Sequence, residues 1–208
     1  MRKITAYAHE VERLINADLI LFVRPVAFPK HVPNEVIHDI ASINMDGGGN
    51  WIAWSPLPVT DEVTKRLYPD KAGFPCPYGG EGDELWVQEA YAEPHNWTTD
   101  PESERPLYRY CDHNQPRVPV ETIRWQSPVT MPRVYSRLTV RVTAVLCKRV
   151  MDITEEEAMR TAVRPLGYGD KRHINGLRFW WEGTYTKHGR EWEDNPYAWL
   201  VSALHVGY

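Results

Sequence analysis

Apolar residues recur at helical spacing near the start of the chain, where Tyr7, Ala8, Val11, Leu14 and Ile15 fall on one side and Glu10, Glu12 and Arg13 on the other. That period predicts a first helix between Thr5 and Asn16. The run from Leu19 to Val26 is β-rich and carries Arg24-Pro25, and the proline confines such a strand to an edge or ends it. Residues 27 to 50 then read as a connection punctuated by Pro29, Pro33 and Gly47-Gly48-Gly49. Trp51 to Trp54 reads as a short strand and Thr60 to Leu67 as a short helix, with Phe74 to Gly82 a rigid loop. From Asp83 to Tyr91 the alternation puts Leu85 and Val87 on one face, Trp86 and Gln88 on the other, and a charged Glu89 back on the apolar side.

The clearest strand begins after Ser136, where Leu138, Val140, Val142, Ala144 and Leu146 alternate with Thr139, Arg141 and Thr143. Thr154 followed by Glu155-Glu156-Glu157 is a capping box opening a helix with Ala158, Met159 and Ala162. Ile174, Leu177, Trp180, Trp181 and Tyr185 mark another helix, and Tyr197 to Val206 a closing strand. Strands separated by short helices predict an α+β domain around a small curled β-barrel. One domain is expected over residues 1–208, with polar insertions at about 27–72 and 93–124.

Composition narrows the function. The 24 Lys plus Arg against 28 Asp plus Glu give a net charge of −4, which argues against sequence-blind binding along duplex phosphate. Apolar runs stay far below the ~18 residues of a membrane span, and the first ten residues lack a signal-peptide core, so a cytoplasmic, membrane-free protein is expected. Cys76, Cys111 and Cys147 have no CxxC spacing and the eight histidines no HxH or HxxxH arrangement, so neither disulfides, a metal site nor a cofactor is expected. Nine Trp and eleven Tyr are the compositional anomaly. Most should fill cores, but an aromatic ring beside arginine also stacks a nucleobase.

Three blocks in order resemble the PUA-like ASCH superfamily, in the larger form carried by phages and prophages. The first is Cys76-Pro77-Tyr78-Gly79 with Gly82-Asp83 and Leu85-Trp86-Val87-Gln88-Glu89, where the family writes CPYG, GD and LWVRE. The second is Trp125 with Met131-Pro132-Arg133 and the strand to Leu146, followed by Met151-Asp152-Ile153-Thr154-Glu155-Glu156. The third is Trp192 with Asn195-Pro196-Tyr197-Ala198-Trp199. Together they cover roughly residues 74 to 208.

The resemblance implies a PUA-like small β-barrel flanked by helices, with a cleft for RNA, a nucleotide or a modified base. Small members of the superfamily deacylate acylated cytidine using a Lys and a Thr of a G-x-K-T-x-T-x-R segment and a Glu on the later helix. Anchored on Arg24, those positions fall here on Leu19, Phe22 and Thr161, none of which does that chemistry. The expected function is therefore binding of a nucleotide or single-stranded nucleic acid by a phage-derived protein in the cytoplasm of a bacterial host. Its candidate ligand residues are Trp86, Glu89, Tyr91, Trp125, Arg133 and Arg137. An amidohydrolase or ribonuclease-like enzyme keeps Glu89 as the one catalytic candidate, poised by burial unless Arg133 neutralises it. A third reading is a phage inhibitor that contacts a host defence protein.

Overall fold

The computed structural model describes residues 1–17, 19–28, 42–45, 51–54, 76–93, 106–110, 123–187 and 189–207. Its architecture is α+β. Nine strands are present among these residues: β1 Arg2–Thr5, β2 Leu19–Pro25, β3 Ser42–Met45, β4 Trp51–Trp54, β5 Glu84–Gln88, β6 Tyr91–Ala92, β7 Leu107–Tyr108, β8 Thr139–Arg149 and β9 Tyr197–Gly207. The helices are α1 Ala8–Asn16, α2 Glu155–Arg160 and α3 Arg172–Thr184. Most of the 27–72 and 93–124 insertions, with the glycine triplet and the helix expected at Thr60 to Leu67, lies outside the described residues.

Five strands form one sheet in the order β1-β5-β8-β9-β2. β1 runs parallel to β5 with Ile4 opposite Val87, and β5 runs antiparallel to β8 with Leu85 opposite Val140. The sheet ends at β1 and β2, and among the described residues no ladder joins those edges, so the expected barrel is not closed. β1 was not anticipated: Arg2, Lys3 and Thr5 surround its single buried apolar residue, Ile4, leaving too few positions for a period of two to be read. β2 takes the edge that Pro25 requires.

The chain clusters into two compact units. Unit 1 comprises Met1–Ile20, Gly80–Ala144 and Ser202–Tyr208; unit 2 comprises Leu21–Gly79 and Val145–Val201. In unit 1, α1 buries Val11 and Leu14, and the Glu10 carboxylate accepts the Tyr7 backbone N–H at 2.8 Å to cap the first turn. Leu138, Val140 and Val142 of the alternating stretch are buried, whereas Ala144 and Leu146 on the same face are exposed. The period held beyond the point where the face leaves the core.

Unit 2 packs α2 and α3 on Leu21, Val23, Ala198 and Leu200. The capping box forms as expected: Thr154 Oγ1 accepts the Glu157 N–H at 3.2 Å and Glu157 Oε2 accepts the Thr154 N–H at 2.8 Å. Glu155 reaches across to cap α3, accepting the N–H groups of His173 at 2.8 Å and Ile174 at 3.0 Å. Trp181, Trp192, Trp199 and Trp51 are all buried in this unit, the core role expected of most tryptophans. Trp181 Nε1 donates to the Arg190 carbonyl at 2.7 Å, which satisfies its one polar atom.

Candidate functional site

The expected site residues all belong to unit 1, and its local hydrogen bonds determine where each one goes. β5 ends at Gln88, whose buried amide holds the next segment in place: Nε2 donates to the carbonyls of Val129 at 3.1 Å and Met131 at 3.2 Å, and Oε1 accepts from Thr5 Oγ1 at 3.2 Å. Ser136 Oγ donates to the Val87 carbonyl at 2.8 Å. These bonds pin residues 128–137, which form two short 3₁₀ turns at Pro128–Thr130 and Arg133–Tyr135, against the end of β5.

Arg137 is thereby carried to Glu89. Its Nε donates to Oε1 at 2.9 Å and its Nη2 to Oε2 at 3.0 Å, a two-pronged pair in which the carboxylate side chain is 0% exposed and the arginine 13%. Nη2 also donates to the Tyr110 carbonyl at 2.6 Å, and the guanidinium lies 4.1 Å from the centre of the Tyr108 ring. Tyr108 in turn donates its hydroxyl to the Tyr135 carbonyl at 2.7 Å. Tyr91 stands opposite Tyr108 in the β6–β7 ladder and meets the Tyr135 ring at 5.7 Å. Glu89, Arg137, Tyr91, Tyr108 and Tyr135 thus form one connected cluster.

The remaining candidates lie elsewhere in the unit. Arg133, expected as one possible partner of Glu89, is exposed and donates to the sulfur of Met1 at 3.1 Å; Arg137 takes the neutralising role because the Ser136 bond turns it toward β5. Trp86 is on β5, level with Lys3, whose ammonium lies 5.9 Å from its ring centre. Trp125 packs on Ala92, Leu107 and Ile123. Ala92 and Leu107 are opposite one another in the ladder, so Trp125 covers the face of the β6–β7 ribbon that Tyr91 and Tyr108 do not. Its Nε1 is buried with no hydrogen-bond acceptor among the described residues.

Both Glu89 carboxylate oxygens accept from one guanidinium, which supplies the partner that its burial demands. The resemblance in sequence would align the hydrolase groups with Leu19, Phe22 and Thr161. Leu19 is an exposed side chain on β2, Phe22 is buried under the Arg24 guanidinium at 5.3 Å, and the Thr161 hydroxyl donates to the Ala158 carbonyl at 2.7 Å. Tyr108 and Tyr135 were missed by sequence reading, because nothing in a two-residue strand and a 3₁₀ turn signals which guanidinium they will meet. Among the described residues no group of His, Cys, Asp or Glu has the arrangement of a metal site, and no helix is long and apolar enough to cross a membrane.

Comparison with protein-family models, with curated proteins and with solved structures finds no match to this chain.

Proposed function

We propose that this chain is a PUA-like, ASCH-type protein of phage origin that binds a nucleotide or a single-stranded nucleic acid through unit 1 and has lost the hydrolytic groups of its smaller relatives. The observation that carries the reading is Trp125, a half-buried ring whose Nε1 has no acceptor among the described residues. Buried polar groups are almost always paired, so an orphaned donor at a partly open aromatic ring fits a ligand that brings both a flat face and an oxygen. A nucleobase carbonyl supplies both. Arg133, exposed on the 3₁₀ turn four residues before Arg137, offers a cation for the accompanying phosphate. The Glu89–Arg137–Tyr108 stack ties the end of that segment to the β6–β7 ribbon. The sequence resemblance supports the same class of ligand, and with it the cytoplasm of a bacterial host.

Replacing Trp125 by Phe tests the reading because it keeps an aromatic face while deleting the donor together with the second ring of the indole. Affinity for a short single-stranded oligonucleotide is expected to fall about threefold to tenfold, the value of one hydrogen bond. Stability is expected to change little, because removing an unpaired buried donor offsets the packing lost with the smaller ring. Unchanged affinity contradicts it.

A further inference from the structure

A second feature, in unit 2, has no part in that reading. Residues 161–171 connect α2 to α3, and the Leu166 N–H donates to the carbonyl of Arg172, the first residue of α3, at 2.8 Å, closing the segment into a loop. Its base is pressed on α3: a Cβ added to Gly176 would stand 2.2 Å from the Arg164 carbonyl oxygen and 3.3 Å from the Pro165 Cα. At its tip Gly167 and Gly169 take φ of +81° and +89°, the left-handed region open to glycine, and between them Tyr168 is 102% exposed. The fold therefore holds a whole tyrosine ring in water on an anchored loop.

The charges around that ring are lopsided. Arg164, Lys171 and Arg172 are exposed, against Asp170 as the loop's one carboxylate, giving three cations less one anion, +2, on a chain whose net charge is −4. The nearby Glu155 carboxylate is engaged with the backbone at the start of α3. A ligand suited to this surface has a flat π-face to lie on tyrosine and negative charge on either side of it. Duplex nucleic acid hides its faces in its own stack, and single strands expose them.

We propose that the loop at 164–172 is a contact surface for single-stranded nucleic acid, with Tyr168 stacking on one base and Arg164, Lys171 and Arg172 meeting the flanking phosphates. It uses residues outside the unit 1 reading and stands or falls separately.

The test is fluorescence anisotropy of the full chain with a fluorescein-labelled twelve-nucleotide single-stranded RNA, with the matching duplex as competitor. Tyr168→Ala is expected to weaken single-strand binding by roughly tenfold, the effect of losing one stacking platform, while Tyr168→Phe keeps it. Lys171→Gln with Arg172→Gln is expected to flatten the dependence of log affinity on log salt by about 0.7 for each lost phosphate contact. All these side chains are exposed, so circular dichroism and Tm should not move. Equal binding by Tyr168→Ala and wild type overturns the proposal, as does an equal loss in Tyr168→Phe, or a duplex that competes as well as the single strand. If Trp125→Phe weakens binding and Tyr168→Ala does not, the loop proposal fails and the unit 1 reading survives; the opposite pattern spares the loop and sinks the other.

Discussion

Arg137 closes on Glu89 with two prongs of its guanidinium, Nε to Oε1 at 2.9 Å and Nη2 to Oε2 at 3.0 Å, while its flat face lies on Tyr108. A fully buried carboxylate is tolerated only with such a partner. Arg137→Ala is therefore expected to cost roughly 3–5 kcal/mol by stranding that charge, and Arg133→Ala under about 0.5 kcal/mol because Arg133 is exposed. Chemical denaturation of both variants checks the contrast. Comparable losses in the two would mean that Arg133 shares the neutralising role.

Acid stability should trace to the start of α3. Burial works to raise the Glu155 pKa, but the backbone N–H groups of His173 and Ile174 and the His173 ring outweigh it and hold the carboxyl below its ordinary 4.5. A group depressed in the folded state stabilises fully above its unfolded pKa and loses that contribution as pH falls through the folded value. Glu157, held down against its own burial by Lys148 and Thr154, adds in the same direction. Tm measured from pH 6 down to pH 3 should fall below about pH 4.5, and Glu155→Gln should lower Tm at pH 6 and shallow that fall. A variant whose curve parallels wild type rules the assignment out.

Two small residues flank the same loop with opposite expectations. Gly176→Ala places a methyl 2.2 Å from the Arg164 carbonyl oxygen, where only backbone movement relieves it, and should cost roughly 1–3 kcal/mol. Ala162 holds φ of +63° just past the end of α2, so Ala162→Gly relieves a left-handed alanine and should add up to about 1 kcal/mol. Thermal melts of the two should move apart; a stabilised Gly176→Ala would show that the close approach is not rigid.

Much of the frame was legible because the signals were local and repeated. The capping box at Thr154, the alternation from Leu138 and the edge-marking Pro25 each state a rule within a few residues. Glu89 was legible as an anomaly, a charge on an apolar face. Its partner was not, because the choice of Arg137 over Arg133 is made by Gln88 and Ser136 bonds spanning more than forty residues. The open sheet escaped for a related reason: barrel closure depends on whether two distant edges meet, and no strand's own pattern encodes that. The separation of Trp125 from Tyr91 likewise follows from a two-residue ladder too short to announce its faces.

Hydrolysis of N4-acylated cytidine should be absent. Leu19, Phe22 and Thr161 occupy the aligned positions, and both oxygens of Glu89 are committed to Arg137. Chromatography of the nucleoside after prolonged incubation should show substrate only. Product formation that disappears in Glu89→Gln would restore the enzyme reading.

The central claim, that unit 1 binds nucleotide or single-stranded nucleic acid, is tested most directly by the salt dependence of oligonucleotide affinity in wild type and Arg133→Ala. Measurable binding at low salt is expected, with a linear fall of log affinity with log salt and a slope shallower by about 0.7 in Arg133→Ala at unchanged Tm. Binding that is absent at low salt, or a slope identical in the two proteins, contradicts it.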